Sequence, residues 1–174
     1  MWTRLKRLIK HRWVDDGELR SALPPTVLTA LEQRIAASEQ THSGEIRIHV
    51  EAGLPWGYLW RGAPARERAI SMFGKLRVWD TEQNNGVLIY LLLADHAIEI
   101  VADRGLTQRV PAALWEDIVV RMVAALGAGR FEEGLQQAVD EVSALLVQHF
   151  ALAPGARNPN ELPDAPALGA RGSA

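Results

Sequence analysis

Residues 79–106 read WDTEQNNGVLIYLLLADHAIEIVADRGL, and this stretch decides the fold. Val87–Leu93 is an unbroken apolar run between Asn84-Asn85-Gly86 and Ala94-Asp95-His96. Its length and its branched and aromatic content predict a strand buried on both faces, since a strand with one wet face would alternate. Ala97–Asp103 does alternate: Ile98 and Ile100 face one way, Glu99 and Val101 the other. Asp95-His96 is short enough to reverse the chain, so the two strands are expected to form an antiparallel hairpin. The start of the first strand then lies beside the end of the second. Asn84-Asn85 and Asp103-Arg104 should therefore meet at one end of the sheet.

Upstream, the pattern predicts a helix from Pro64 to Leu76, with Ala69, Met72, Phe73 and Leu76 as its apolar stripe. Glu45–Glu51 alternates strictly, with Ile46, Ile48 and Val50 on one face and Glu45, Arg47, His49 and Glu51 on the other. That polar face places the strand at an edge or beside a cleft, with a solvated His49. A helix between the Glu45 and Val87 strands favours a parallel crossover. The segment Ala52–Ala63, holding Leu54, Trp56, Tyr58, Leu59 and Trp60, reads as an aromatic loop. It can fold over the core or offer Trp56 and Trp60 as a contact surface. A further helix is expected from about Thr26 to Gln40, with Leu28, Leu31 and Ile35 buried and Thr29 and Glu32 as a capping box. Downstream, Pro111 opens a helix with Leu114, Trp115, Ile118, Val119, Met122 and Leu126 on its apolar face. Phe131–Phe150 is the clearest helix of the chain. These elements give an α/β domain with a mixed β-sheet over residues 26–150. Residues 1–25 form a basic segment and connector, and 151–174 a Pro-, Gly- and Ala-rich tail expected to be largely disordered, in which Asn158–Asp164 could alternatively dock as an extended strip.

The chain has 174 residues and no cysteine, which excludes thiolate catalysis and cysteine metal sites. No apolar run approaches the ~20 residues of a membrane-spanning helix, and no secretory signal is visible, so cytoplasmic residence is the expectation. Met1–Val14 carries Arg4, Lys6, Arg7, Lys10 and Arg12 and no acid. The remaining chain is therefore at −7 against −2 for the whole. Trp2, Leu5, Ile9 and Trp13 share one helical face, and Arg4, Lys6, Arg7 and Lys10 lie around the other. Such a helix can lie on an anionic membrane surface, through Trp2, Trp13 and the bases, or pack its tryptophans onto the domain. A protein partner and a peripheral membrane contact are the partners expected; nucleic acid is not.

Asp80, Glu82, Asn84 and Asn85 crowd the loop before the Val87 strand, and Asp103 and Arg104 end the hairpin. Oxygen ligands of this kind suit calcium or magnesium, and Arg104 could hold a phosphate. Turn and capping chemistry accounts for the same residues without a ligand. The five histidines lack the i, i+4 spacing of a helical zinc pair, and there is no EF-hand, P-loop or Gly-x-Ser-x-Gly elbow.

Ser43-Gly44-Glu45-Ile46 after a helix, Asn85-Gly86-Val87-Leu88-Ile89-Tyr90, the Asp95–Gly105 hairpin ending in Arg104-Gly105-Leu106, and Gly129-Arg130-Phe131 before the last helix together resemble the TPM domain, also called the thylakoid acid-phosphatase domain. The resemblance covers roughly Thr26–Phe150, and Asn158–Asp164 looks like a recurrent ending of bacterial members. It implies a Rossmann-like α/β/α sandwich. For function it implies an acid phosphatase, a calcium-binding domain or a non-enzymatic accessory subunit of a membrane complex. Many members carry an acid shortly after the Gly-Leu element, where this chain has Pro111-Ala112. The expectation is thus a non-catalytic binding or accessory module, with a metal-dependent acid phosphatase or calcium-binding domain as the alternative.

Overall fold

A computed structural model describes His11 and residues 16–169. Trp2, Arg4, Lys6, Arg7, Lys10 and Trp13, on which the membrane or partner reading of the N-terminal segment falls, lie outside the described residues. In chain order the elements are α1 (Asp16–Ala22), α2 (Pro25–Ser38), β1 (Ile46–Glu51), α3 (Trp56–Arg61), α4 (Ala65–Lys75), β2 (Val87–Leu92), β3 (Ala97–Ala102), α5 (Arg104–Thr107), α6 (Ala112–Gly127), α7 (Phe131–Phe150) and β4 (Ala167–Gly169).

The sheet runs β3-β2-β1-β4. β1 and β2 are parallel, from Ile46↔Val87 to Glu51↔Leu92. β2 and β3 are antiparallel, from Val87↔Ala102 to Leu92↔Ala97. Every residue of β2 is buried, as its unbroken apolar run requires. A 3-10 turn over Leu93–Asp95 reverses the chain, and His96 closes it in the left-handed region at φ 50°. Asp and Asn near such turns, or a His as here, tolerate that conformation better than branched residues do.

The sheet carries a core on each face. Val87, Ile89 and Leu91 of β2, with Ile46, Ile48 and Val50 of β1, pack with Leu31 and Ile35 of α2, Ile118 and Met122 of α6 and Leu135, Val139 and Val142 of α7. Leu88, Tyr90 and Leu92 pack on the other face with Leu59 of α3, Ala65, Ala69 and Met72 of α4 and Leu162 of the tail. Burying each large aliphatic side chain stabilises the fold by about 1.5–3 kcal/mol. This is the expected α/β/α layering around a mixed sheet.

Five features differ from the sequence reading. The connector before Pro25 contains the helix α1, and Leu19 and Leu23 join the core. β1 is interior, between β2 and β4, and all six of its residues are buried, His49 included. Its polar row meets other polar groups instead of water. Ala52–Ala63 is not a plain loop, because Trp56–Arg61 forms α3, which ends at Gly62 in the left-handed region at φ 67°. α2 starts at Pro25 with Pro24 as its N-cap and no side-chain cap, so Thr29 and Glu32 make no capping box. A proline at the first helical position already has the right φ and no amide proton to satisfy. Residues 158–169, part of the tail expected to be largely disordered, lie along β1. There β4 pairs in parallel, His49 opposite Ala167 and Glu51 opposite Gly169.

Candidate functional site

The polar row of β1 is the densest set of buried ionisable groups among the described residues. Its first half holds the C-terminal strap, residues 158–169. The Glu45 carboxylate accepts the backbone N–H groups of Glu161 and Leu162, each at 3.2 Å. Arg47 Nη1 donates to the carbonyls of Pro163 and Ala165. The strap reciprocates: the Glu161 carboxylate accepts from Glu82 N at 3.1 Å. The tail can therefore lie over a strand whose polar positions would otherwise need water, because backbone donors and acceptors of the strap satisfy them. Burial raises the Glu45 carboxyl and lowers the Arg47 guanidinium from their ordinary values.

Glu39, just past α2, lies under the same strap. Its Oε1 accepts from Ile46 N at 3.0 Å, while its buried Oε2 has no hydrogen-bond partner. Burial, and then the charges of Glu45 and Asp164, push the Glu39 carboxyl up to about 9. At neutral pH this carboxyl is protonated.

The second half of the row is an ion pair. Arg68 of α4 grips Glu51 through Nε, at 2.9 Å from Oε2, and through Nη2 on Oε1. The Tyr90 hydroxyl donates to Glu51 Oε2 at 2.6 Å. Glu51 and Arg68 are each 1% exposed, so both charges are desolvated and depend on each other. Burial alone would raise Glu51, but Arg68, His49 and Tyr90 outweigh it and hold the carboxyl at about 2. Burial and the adjacent carboxylate raise Tyr90. The His49 ring stacks on Tyr90 at 5.9 Å, and its Nε2 lies 3.7 Å from Glu51 Oε1, beyond hydrogen-bond reach. The Arg68 guanidinium also lies 5.2 Å from the centre of the Tyr58 ring. With its charge bound by two donors, Glu51 is neither a poised base nor a poised acid. Sequence reasoning missed this cluster. The available signal was Arg68 itself, a charge one turn before Met72 on the apolar stripe of α4.

The residues proposed as a ligand site divide among separate contacts. Arg104 Nε donates to Asn84 Oδ1 at 2.9 Å, and Gly105 N donates to Asn84 O at 2.9 Å, so the two ends of the hairpin do meet. Asp103 spends Oδ1 on the Arg104 amide, capping α5. Asp80 pairs with Arg77. Asn85 is turned toward Ser43, donating from Nδ2 to Oγ at 3.2 Å. Glu82 meets the strap through its backbone amide. The glycines of this corner are required sterically. A Cβ on Gly86 would lie 2.0 Å from the Val78 carbonyl oxygen, and one on Gly105 2.4 Å from that of Asn84.

Two oxygens here, Asn85 Oδ1 and Asp103 Oδ2, are buried without a hydrogen-bond partner. Neither belongs to a metal-ligating set, since no group of three or more His, Cys, Asp or Glu side chains that could hold a metal ion occurs among the described residues. One carboxylate and one amide fall short of the six or more oxygens calcium takes. Backbone carbonyls and water would have to supply the remaining ligands of such an ion.

Trp56 and Trp60 are 64% and 71% exposed, with ring centres 6.4 Å apart. They stand one turn apart on the outer side of α3, while Leu59 is buried beneath. His11 lies close by. Leu54 N donates to His11 Nδ1 at 3.1 Å, and His11 Nε2 lies 2.9 Å from Asp95 Oδ1. The accepting Nδ1 leaves the proton on Nε2, which donates to Asp95.

A family model described as the TPM domain matches residues 19–145. Among curated proteins, none matches the chain. The NMR structure of the BA42 protein from the psychrophilic bacterium Bizionia argentinensis is similar, with a TM-score of 0.73 and 26% identity, over 84% of this chain and 95% of that one. The N-terminal domain of a protein from P. gingivalis, also solved by NMR, is similar in fold. Its TM-score is 0.59 at 22% identity, over 75% of this chain and 82% of that one.

Proposed function

The chain belongs to the TPM domain family, and we propose that it serves there as a non-catalytic binding or accessory module whose contact surface is centred on α3. The observation that carries this reading is the exposure of Trp56 and Trp60. Large aromatic side chains ordinarily find burial, and exposed tryptophans are favoured anchors of interfaces. The state of the buried polar groups supports it further: Glu51 is neutralised by Arg68, and Glu45 and Arg47 are occupied by the strap.

The test is affinity capture from the native host with the parent and the Trp56→Ala/Trp60→Ala variant. A partner retained by the parent and lost by the variant supports the module. A partner set indifferent to the substitution would remove α3 from the account.

A second reading, a metal-dependent acid phosphatase or calcium-binding domain, is favoured by the two unpartnered oxygens of Asn85 and Asp103. It requires calcium in the millimolar range to raise the melting temperature, because a ligand of the folded state stabilises it by mass action. Asp103→Asn should then abolish that rise. Metal-dependent hydrolysis of p-nitrophenyl phosphate by the parent, lost in Asp103→Asn, would replace the module reading with this one.

A further inference from the structure

The sheet ends on β3, and among the described residues no strand pairs with its outer side. Asp103 N donates to Gly86 O at 2.9 Å, so Asp103 turns its backbone groups toward β2. Backbone direction alternates along an antiparallel ladder, so Ile98, Ile100 and Ala102 turn theirs outward. Arg66 reports the same parity, since its Nη1 donates to Ile100 O at 2.5 Å from outside the sheet. An edge of this kind is a template for a further strand.

Both helices that flank the edge carry exposed aliphatic side chains toward it. On one face is α4, where Ile70 follows Arg66 by one turn and is 53% exposed. On the other is α6, where Val120 is 66% and Val123 47% exposed. Val120 lines a groove of about 590 Å³ that α6 forms with Ile98, Ile100 and Ala102, with Trp115 and Val119 in its wall. Val123 lines a neighbouring cavity that also reaches Ile98. An isolated strand laid on β3 would pair its backbone and leave Ile70 and Val120 in water. A second copy of the chain brings an α4 and an α6 with its own β3, and so covers the edge and both flanks together.

We propose that β3 pairs in antiparallel with β3 of a second copy, about a two-fold axis at Ile100, to make one continuous sheet. In this register Ile100 faces Ile100 of the second copy, and Ile98 faces its Ala102. Every outward backbone N–H and C=O of the edge then gains a partner. Helix α4 meets α4 through Ile70 on one face of the joined sheet, and α6 meets α6 through Val120 and Val123 on the other. Arg66 yields Ile100 O to the second copy and keeps Glu99, 3.5 Å away, as its counter-charge. A six-residue edge alone would bury too little for a stable pair, and the helices supply the remaining area. This face is separate from the Trp56 and Trp60 surface, and its test does not depend on capture of a partner there.

The experiment is analytical ultracentrifugation of the full chain over a concentration series. The parent should approach twice the mass of one chain as concentration rises. Ile70→Lys/Val120→Lys should stay at the mass of one chain, because it sets like charges against each other across the axis. Both positions are exposed, so the variant should keep the parent's far- and near-ultraviolet circular dichroism, which is checked first. Amide exchange of the parent needs no variant. The Ile98, Ile100 and Ala102 amides should exchange about tenfold or more slowly at high concentration than at dilution, with the β2 amides slow throughout. A parent that keeps the mass of one chain at every concentration overturns the pairing. So does self-association unchanged in the lysine variant, or edge amides whose exchange ignores concentration. Self-association lost in Trp56→Ala/Trp60→Ala but kept in the lysine variant would place the contact on α3 and likewise overturn it.

Discussion

Replacing Glu39 by Gln should stabilise this protein, an unusual outcome for a buried position whose side chain already makes a hydrogen bond. Glu39 is 4% exposed and accepts from Ile46 N at 3.0 Å. Burial, Glu45 and Asp164 push its carboxyl from 4.5 up to about 9. The sign follows from proton counting. Between those two values the folded chain holds a proton on Glu39 and the unfolded chain does not, so stability falls as pH rises. The contribution is fully present below about pH 4.5 and is lost progressively up to about pH 9. Near pH 7 the loss spans roughly 2.5 pH units, or about 3 kcal/mol at 1.36 kcal/mol per unit. Gln keeps Oε1 for Ile46 N, keeps the shape and needs no proton. Glu39→Gln should therefore gain up to about 3 kcal/mol near neutrality, and at ~2–4 °C per kcal/mol the melting temperature should rise by about 6–12 °C. The assay is urea unfolding at several pH values from about 5 to 8, comparing parent and variant. The gain should shrink toward acid and grow toward alkali, because the variant lacks one titrating group. A variant destabilised at every pH, or one whose stability runs parallel to the parent's, would refute the buried, protonated Glu39.

Two other changes test the rest of the polar row and the glycine corner. Arg68→Met leaves the Glu51 charge buried with the Tyr90 hydroxyl and the His49 ring but no cationic guanidinium, and should cost about 3–5 kcal/mol by chemical unfolding. Arg68→Met/Glu51→Gln should recover part of that loss, whereas additive losses would mean the two residues act independently. Glu51 also sets the acid limb of stability. Its carboxyl, held at about 2, contributes above about pH 4.5 and loses that contribution as pH falls toward 2, a dependence the double variant should lack. Gly86→Ala places a Cβ 2.0 Å from the Val78 carbonyl oxygen, a backbone atom that cannot rotate away. The forced shift should cost about 1–3 kcal/mol, and a melting temperature equal to the parent's would show that the loop yields freely.

The hairpin and the long helices were legible because apolar spacing reports them directly. The Val87–Leu93 run gave β2, the Ile98–Val101 alternation gave β3, and α7 spans Phe131–Phe150 as its spacing predicts. The approach of Asn84 to Arg104 followed from hairpin geometry alone. The environment of β1 was not legible. Alternation marks Glu45, Arg47, His49 and Glu51 as sharing a face, but the pattern is the same whether water or a polar strap covers that face. Its covering comes from more than a hundred residues away, in a tail whose Pro, Gly and Ala content favours disorder over the docking that Asn158–Asp164 alone hinted at. Its anchors there are largely backbone groups, which carry no sequence signal. Arg68 was hidden for a related reason, since one charge in a helix is ordinarily solvated and only its distant partner Glu51 explains its burial. The ligand-site residues were placed at the correct end of the sheet, but side-chain direction decided the rest. Asn85 turns to Ser43, Asp80 to Arg77 and Asp103 to its own helix.

The account centres on a β1 polar face sealed by the C-terminal strap, and amide hydrogen exchange at Glu161 and Leu162 tests it most directly. Both N–H groups donate to the buried Glu45 carboxylate, Leu162 itself being 7% exposed. In the parent they should exchange far more slowly than an unstructured tail, because exchange requires local opening of the strap. Glu45→Ala should remove that protection while leaving the amides of β2 slow. Exchange at unstructured rates in the parent, with β2 protected, would show the polar face of β1 open to water and contradict the account.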